Sequence, residues 1–278
     1  MKLIRVFPRR TKATPGDELA YIGLPYLWSE ADRVDISVTF TYDLPMVDQL
    51  VKEWSQVAPV TVGGPALDDI GGEFEPGKYL KRGYTITSRG CPNKCWFCSV
   101  WKREGDIREL EIKDGYDVLD SNILACSDKH VSNVFDMLDR QEHRIKFTGG
   151  LEAKILKPWH CDRLARMKIE RAYFAYDTPD DYEPLVQAGK MLRSAGFKTS
   201  AHTLSCYVLI GFKGDTFEKA EARLRDTWQA GFVPYGMLYK DKDGSADKDW
   251  KQFQRQWCRP IIAMANLKLN NRPQEAII

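Results

Sequence analysis

Between Tyr84 and Tyr239 short apolar runs alternate with stretches of helical period, and the alternation comes six times. The strand-like runs are YTITS (84–88), SNILACS (121–127), IKFTG (145–149), RAYFAYD (171–177), KTSAHTLSCYVLIG (198–211) and VPYGMLY (233–239). Helical patterns fill the later gaps: VSNVFDMLDRQ, HCDRLARMK, YEPLVQAGKMLRSAG and TFEKAEARLRDTWQAG. Such alternation forces parallel pairing with right-handed crossovers. The fold class is therefore α/β, built as an open doubly wound sheet or a partly closed barrel. In both, chemistry belongs at the carboxyl ends of the strands.

Upstream, VDISVTF, the helix-like LPMVDQLVKEWSQV and PVTVGGPA form one further βαβ unit. LDDIGGEFEPGKYLKR (67–82) is rich in Gly, Pro and charge and lacks periodicity, so it reads as a linker near residue 80. Past 240, a polar loop precedes a helical segment with Trp250, Phe253 and Trp257 at helical spacing, an aromatic stripe expected to pack and close the barrel. The expected organisation is a small α/β segment at 1–80, the barrel at 81–240 and a helical extension at 241–278.

A hydrophobic share of 43% against 29% charged residues fits a folded globular enzyme and excludes a disordered or fibrous chain. The net charge of +2 gives no general pull toward nucleic acid or an anionic membrane, although it does not exclude nucleic acid. MKLIRVFPRRTK lacks the apolar core of a secretory signal, and no window approaches 18 apolar residues, so no membrane partner and a cytoplasmic location are expected. Seven cysteines, three of them within eight positions, suit reduced thiols on a metal better than a disulfide framework.

Those three, Cys91, Cys95 and Cys98, stand in TSRGCPNKCWFCSV directly after the first strand of the alternation. Thiolates are soft ligands suited to iron–sulfur clusters, and three of them on a cubane leave one iron open to a small molecule. A structural zinc site is the main alternative, but it needs a fourth ligand; no second CxxC exists, and His130 is some thirty residues away. A plain electron-transfer cluster would commonly use four cysteines.

With Phe97 before its third cysteine, this CxxxCxxC loop resembles that of the radical S-adenosylmethionine (SAM) superfamily, over roughly residues 82–240. The resemblance implies a partial (β/α)6 barrel and a [4Fe–4S] cluster on Cys91, Cys95 and Cys98. It implies reductive cleavage of SAM to methionine and a 5′-deoxyadenosyl radical, with electrons from a flavodoxin or ferredoxin. Methyl or methylthio transfer to RNA or another acceptor is a second outcome within the superfamily, and a zinc-holding interaction module is the reading outside it. The substrate is not legible.

The resemblance carries over to further positions where residues match. Gly149, Gly150 and Glu152 in TGGLEA resemble the glycine–glycine–glutamate motif beside the methionyl amine, although they follow the third strand where the motif usually follows the second; there this chain has ACSDKH with Ser127 and Asp128. A plain tight turn would use the same glycines. Ile210 and Gly211 in CYVLIGFKGDT match the motif that borders the adenine, with Lys213 and Asp215 departing from it. Asp177 and Thr178 are candidates for ribose or substrate contacts, and equally for a helix N-cap. Cys126 and Cys206 fall in expected strands and are expected to pack, and His202 reads as a satisfied core residue. The GGP turn at 63–65 resembles the end of a cobalamin-binding domain, but 80 residues are too few for that domain and no histidine precedes His130, so cobalamin is not expected.

Overall fold

In the computed structural model, which describes residues 1–26, 29–198, 202–241 and 243–269, the chain forms two compact units. Among the described residues, the first gathers those of 1–122, 129–141 and 243–244; the second gathers those of 123–128, 142–241 and 245–269. Both are α/β, and apart from one short antiparallel pair in the first unit their described strands pair in parallel. No helix among the described residues is long and apolar enough to cross a membrane.

The first unit opens with β1 (Leu3–Phe7), β2 (Ala20–Ile22) and β3 (Arg33–Ser37); α1 (Val47–Trp54) then crosses to β4 (Val60–Gly63). The four strands are parallel in the order β2-β1-β3-β4. The expected βαβ unit is thus β3–α1–β4, but two strands precede it. Register sets Ile4 beside Val34 and Val6 beside Ile36, and these four pack with Leu50 and Trp54 of α1 into one buried cluster. Each such side chain contributes about 1.5–3 kcal/mol when removed from water. The buried Trp54 indole satisfies its N–H by donating to the Gly23 carbonyl at 2.9 Å.

The same unit continues through β5 (Tyr84–Thr85), β6 (Ser88–Arg89), α2 (Val100–Glu104), β7 (Arg108–Glu109) and β8 (Asp117–Val118) to most of α3 (Asp128–Asp139). Two expectations are corrected here. YTITS is not one strand: β5 pairs in parallel with β8, and β6 turns to pair antiparallel with β7. SNILACS is not a strand at all. Ile123–Ala125 form a 3₁₀ turn, with Ile123, Leu124 and Cys126 buried, so the run is apolar because it is packed. The partner of β5 is the more polar YDV just upstream.

In the second unit, β9 (Ile145–Phe147), β10 (Ile169–Tyr176), β11 (Leu204–Ile210) and β12 (Val233–Leu238) form a parallel ladder in chain order. The crossovers are α4 (Pro158–Arg166), α5 (Tyr182–Ser194) and α6 (Phe217–Gln229), and α7 (Lys248–Trp257) and α8 (Pro260–Leu269) follow β12. The long run expected at 198–211 is ordered as a strand only from Leu204, and its residues 199–201 lie outside the described residues. Side-chain alternation gives the ladder two unlike faces. Phe174, Cys206 and Val208 are fully buried, Phe174 packs on Phe232 at 5.0 Å, and Cys206 meets the Thr227 side chain of α6. The other face carries tyrosines from three neighbouring strands: Tyr173 stacks on Tyr207 at 4.3 Å, and Tyr235 meets Tyr207 edge-on at 5.6 Å. Cys206 therefore packs, as expected, and burial pushes its thiol well up. The stripe on α7 also packs: Trp250 and Phe253 lie 4.4 and 5.3 Å from Phe217 of α6, and Trp257 is buried.

Candidate functional site

The cysteine loop runs from the end of β6 to the start of α2, and backbone chemistry explains its shape. Gly90 has φ +85°, and a Cβ there would come within 2.2 Å of the Asp106 carbonyl oxygen, so only glycine fits. Its N–H donates to Glu104 Oε2 at 2.9 Å, and the Cys91 N–H donates to the Gly105 carbonyl at 3.1 Å. Farther along, the Cys98 N–H and the Trp101 indole N–H both donate to the Cys95 carbonyl, at 3.2 and 3.0 Å. The loop is thereby pinned at its root and closed over its middle. Cys91, Cys95, Cys98 and Phe97 are all half-buried, and the Phe97 ring meets the exposed Trp96 edge-on at 5.3 Å.

Behind the loop stands a polar network that the sequence reading did not single out. Asp120, only 1% exposed, accepts from the Thr87 N–H at 2.7 Å, the Thr87 hydroxyl at 2.6 Å and the Ser88 hydroxyl at 2.7 Å. Burial pushes this carboxyl up, against the Ser88 and Thr87 hydrogen bonds that favour its charge. Two residues on, the buried Asn122 points its amide N–H at Cys91 Sγ, 3.6 Å away. His130, remote in sequence, is brought here by α3, where its Nε2–H donates to the Thr87 carbonyl at 2.9 Å and Nδ1 lies 3.7 Å from Glu109. The one histidine weighed as a fourth zinc ligand thus has both ring nitrogens directed at other groups.

All seven cysteines are thiols, with no disulfide among them. Among the described residues, no three His, Cys, Asp or Glu side chains are gathered closely enough to hold a single metal ion. A cubane takes each thiol on a different iron, so its ligands stand farther apart than those of one ion. The donor set, three half-buried soft thiols on one glycine-rooted loop with an N–H already aimed at the first, fits such a cluster.

The remaining candidates belong to the second unit, at the carboxyl ends of β9, β10 and β11. After β9, Gly150 has φ +110°, and a Cβ built on it meets nothing nearer than the Tyr173 carbonyl at 3.9 Å, so the turn needs glycine and leaves its backbone approachable. Gly149 is exposed and Glu152 half-buried. The next residue but one, Lys154, pairs with Asp181 at 2.8 Å, linking this turn to the one after β10. There Thr178 and Asp181 form a reciprocal capping box, so Thr178 is the N-cap that was its alternative reading. Asp177 instead accepts from the Leu209 N–H of β11 at 3.1 Å, ending the β10–β11 ladder with a side chain where a carbonyl would stand. Burial, then the nearby Asp181, pushes the Asp177 carboxyl up to about 7. Burial would raise Asp181 too, but hydrogen bonds from Lys154 and Thr178 outweigh it and hold that carboxyl low.

After β11, packing governs. Ile210 is fully buried, and a Cβ on Gly211 would lie 2.7 Å from Leu238 and 3.0 Å from Trp250. Asp215 accepts from the Gly211 N–H at 2.9 Å and from Arg223 at 2.8 Å, and Arg223 also donates to the Leu209 carbonyl at 2.9 Å. This buried pair fixes the turn. ACSDKH does not directly follow a strand but begins at the end of the 3₁₀ turn beyond β8; Asp128 begins α3 and pairs with Lys157 at 2.6 Å.

Asp120 and Asn122 were missed because the stretch holding them reads as polar loop before an apolar run, and nothing local marks a residue whose partners lie about 30 positions away. An open groove of about 500 Å³, lined by Tyr26, Glu30, Glu53 and Val57 among others, includes none of these residues. Compared with known families and characterised proteins, the chain matches no family model and no characterised sequence.

Proposed function

We propose that the chain is an iron–sulfur enzyme that cleaves SAM reductively, with β5, β8, β9, β10, β11 and β12 as the strands of a partial (β/α)6 barrel. The observation that carries this is the loop itself: three thiols in CxxxCxxC spacing with Phe97, closed between β6 and α2 by the bonds to Gly105 and the Cys95 carbonyl. When bound, a [4Fe–4S] cluster with one iron free of protein ligands supplies the electron that splits the sulfonium of SAM into methionine and a 5′-deoxyadenosyl radical. Cys91, Cys95 and Cys98 would hold that cluster. Gly149 and Gly150 would let the methionyl part of SAM approach the protein backbone, and Glu152 would accept from the methionyl amine. Asp177, whose carboxyl burial pushes up to about 7, would meet a hydroxyl of the ribose or of the substrate. Ile210 and Gly211 would act by shaping the wall near the adenine, since both are packed. The electron donor would be a flavodoxin or ferredoxin, and cobalamin has no part in this proposal.

The test is anaerobic reconstitution with iron and sulfide, then SAM and a strong reductant, with the nucleoside product identified by mass spectrometry. 5′-Deoxyadenosine is the expected product, and Cys95→Ala is expected to remain folded and lose both iron and product. S-Adenosylhomocysteine in its place would mean methyl transfer. Zinc in the purified protein with neither nucleoside formed would reduce the loop to a structural site.

A further inference from the structure

Among the buried polar groups of the first unit, the Asn122 side chain is directed at one of the three thiols. Asn122 is 4% exposed, and its Nδ2 stands 3.6 Å from Cys91 Sγ, within reach of an N–H···S hydrogen bond. Its place is set from both sides. The Leu119 N–H donates to the Thr85 carbonyl at 3.0 Å, continuing the β5–β8 pairing, and Asp120 then grips Thr87 and Ser88 with three hydrogen bonds. Because Thr87 and Ser88 lead through Gly90 into Cys91, the segment that holds the root of the loop also carries the amide that meets its first sulfur. A side chain so fixed does not have to be recruited when a metal arrives.

We infer that Asn122 is a positioning residue for the cluster, holding Cys91 Sγ in ligating orientation and setting the reduction potential through its N–H···S bond. This rests on the iron–sulfur reading of the loop. Hydrogen bonds to cluster sulfurs are among the features that set its potential. A donor stabilises the electron-richer state, so its removal makes the cluster harder to reduce. A residue that only filled space would be replaceable by one of equal size with no effect on potential.

The experiment is a redox titration of the reconstituted chain of residues 1–278, followed by visible absorbance and electron paramagnetic resonance, with iron counted per chain. Asn122→Leu and Asn122→Asp remove the donor at similar volume, and the second adds negative charge. Expected are near-normal iron content and a midpoint shifted to more negative potential in both, further in Asn122→Asp. Loss of iron by either variant with an unchanged circular dichroism spectrum also supports the assignment, because the fold then survives while its thiol is no longer held. If Asn122→Leu does not fold, Asn122→Asp decides. Normal iron content and an unshifted midpoint in the folded variants would overturn the role of Asn122 alone. Failure of the unsubstituted chain to take up iron would overturn the iron–sulfur reading and this inference with it.

Discussion

Asp177 joins structure to pH more directly than any other single side chain here. Its carboxyl stands at about 7 in the folded chain, against 3.8 when unperturbed, with burial the main cause. Between about pH 4 and 7 the folded state therefore keeps a proton that the unfolded state has released, so the stabilisation is full below pH 4 and is lost as pH rises through 7. Asp177→Asn keeps an oxygen for the Leu209 N–H but has no charge to bury. It should leave stability at pH 4 nearly unchanged and raise it at pH 8 by about 2–4 kcal/mol, since each tenfold difference in proton affinity between the folded and unfolded states corresponds to about 1.4 kcal/mol. Urea midpoints at the two pH values check this, and an equal change at both would refute the burial argument. His160 titrates in the opposite sense. Burial, then Lys157, hold it down to about 4, so its contribution is lost as pH falls from about 6.5 toward 4. The cysteine triad could be singled out from sequence because its spacing is local. The contacts of Asp177 and Asn122 could not, because Leu209 and Cys91 each lie about 30 residues away.

At the level of elements, the cysteine loop depends on one glycine more than on its cysteines for its path. Gly90→Ala sets a Cβ against the Asp106 backbone, which cannot swing away as a side chain can, and adds the strain of φ +85°. The expected outcome is a chain whose far-ultraviolet circular dichroism is near normal but whose iron uptake falls severalfold; full uptake would show that the loop has another path. The long amphipathic helices α3, α5 and α6 and the strands β10 and β12 were legible because period and burial agree over many residues. The two-residue strands β5 and β8 were blurred, the first merged with β6 and the second displaced to a neighbouring apolar run. A strand of two residues has too little alternation to read, and burial in a 3₁₀ turn makes Ile123–Ala125 look just as apolar. β1 and β2 were missed for a related reason: LIRVF and AYI carry few positions each, and loops rather than helices follow them.

On the scale of the whole molecule, the first 80 residues are bound into the unit that carries the cysteines. Arg89 of β6 donates to the Gly72 carbonyl at 3.2 Å, Arg108 of β7 to the Ile70 carbonyl at 3.1 Å, and the Lys81 N–H to the Ala13 carbonyl at 2.7 Å. Within those 80 residues, Arg5 of β1 holds the segment that leads to Lys81 against the sheet by donating to the Gly77 and Lys78 carbonyls at 2.9 and 3.0 Å. A chain begun at residue 81 would lose all of these, and it should express poorly or fail to take up iron; normal iron binding by that fragment would show the two parts to be independent. The same unit is assembled from pieces far apart in the chain, with 129–141 and 243–244 joining 1–122. For a protein made from its amino end on the ribosome, this imposes an order of events. The sheet of β1 to β4, with α1 and its Trp54 packed against it, has all its parts once residue 63 has emerged, whereas the cysteine loop waits for α3 to bring His130 against Thr87. A nascent chain paused between them would present three thiols on an unfinished support, the interval in which oxidation or a wrong metal could divert it.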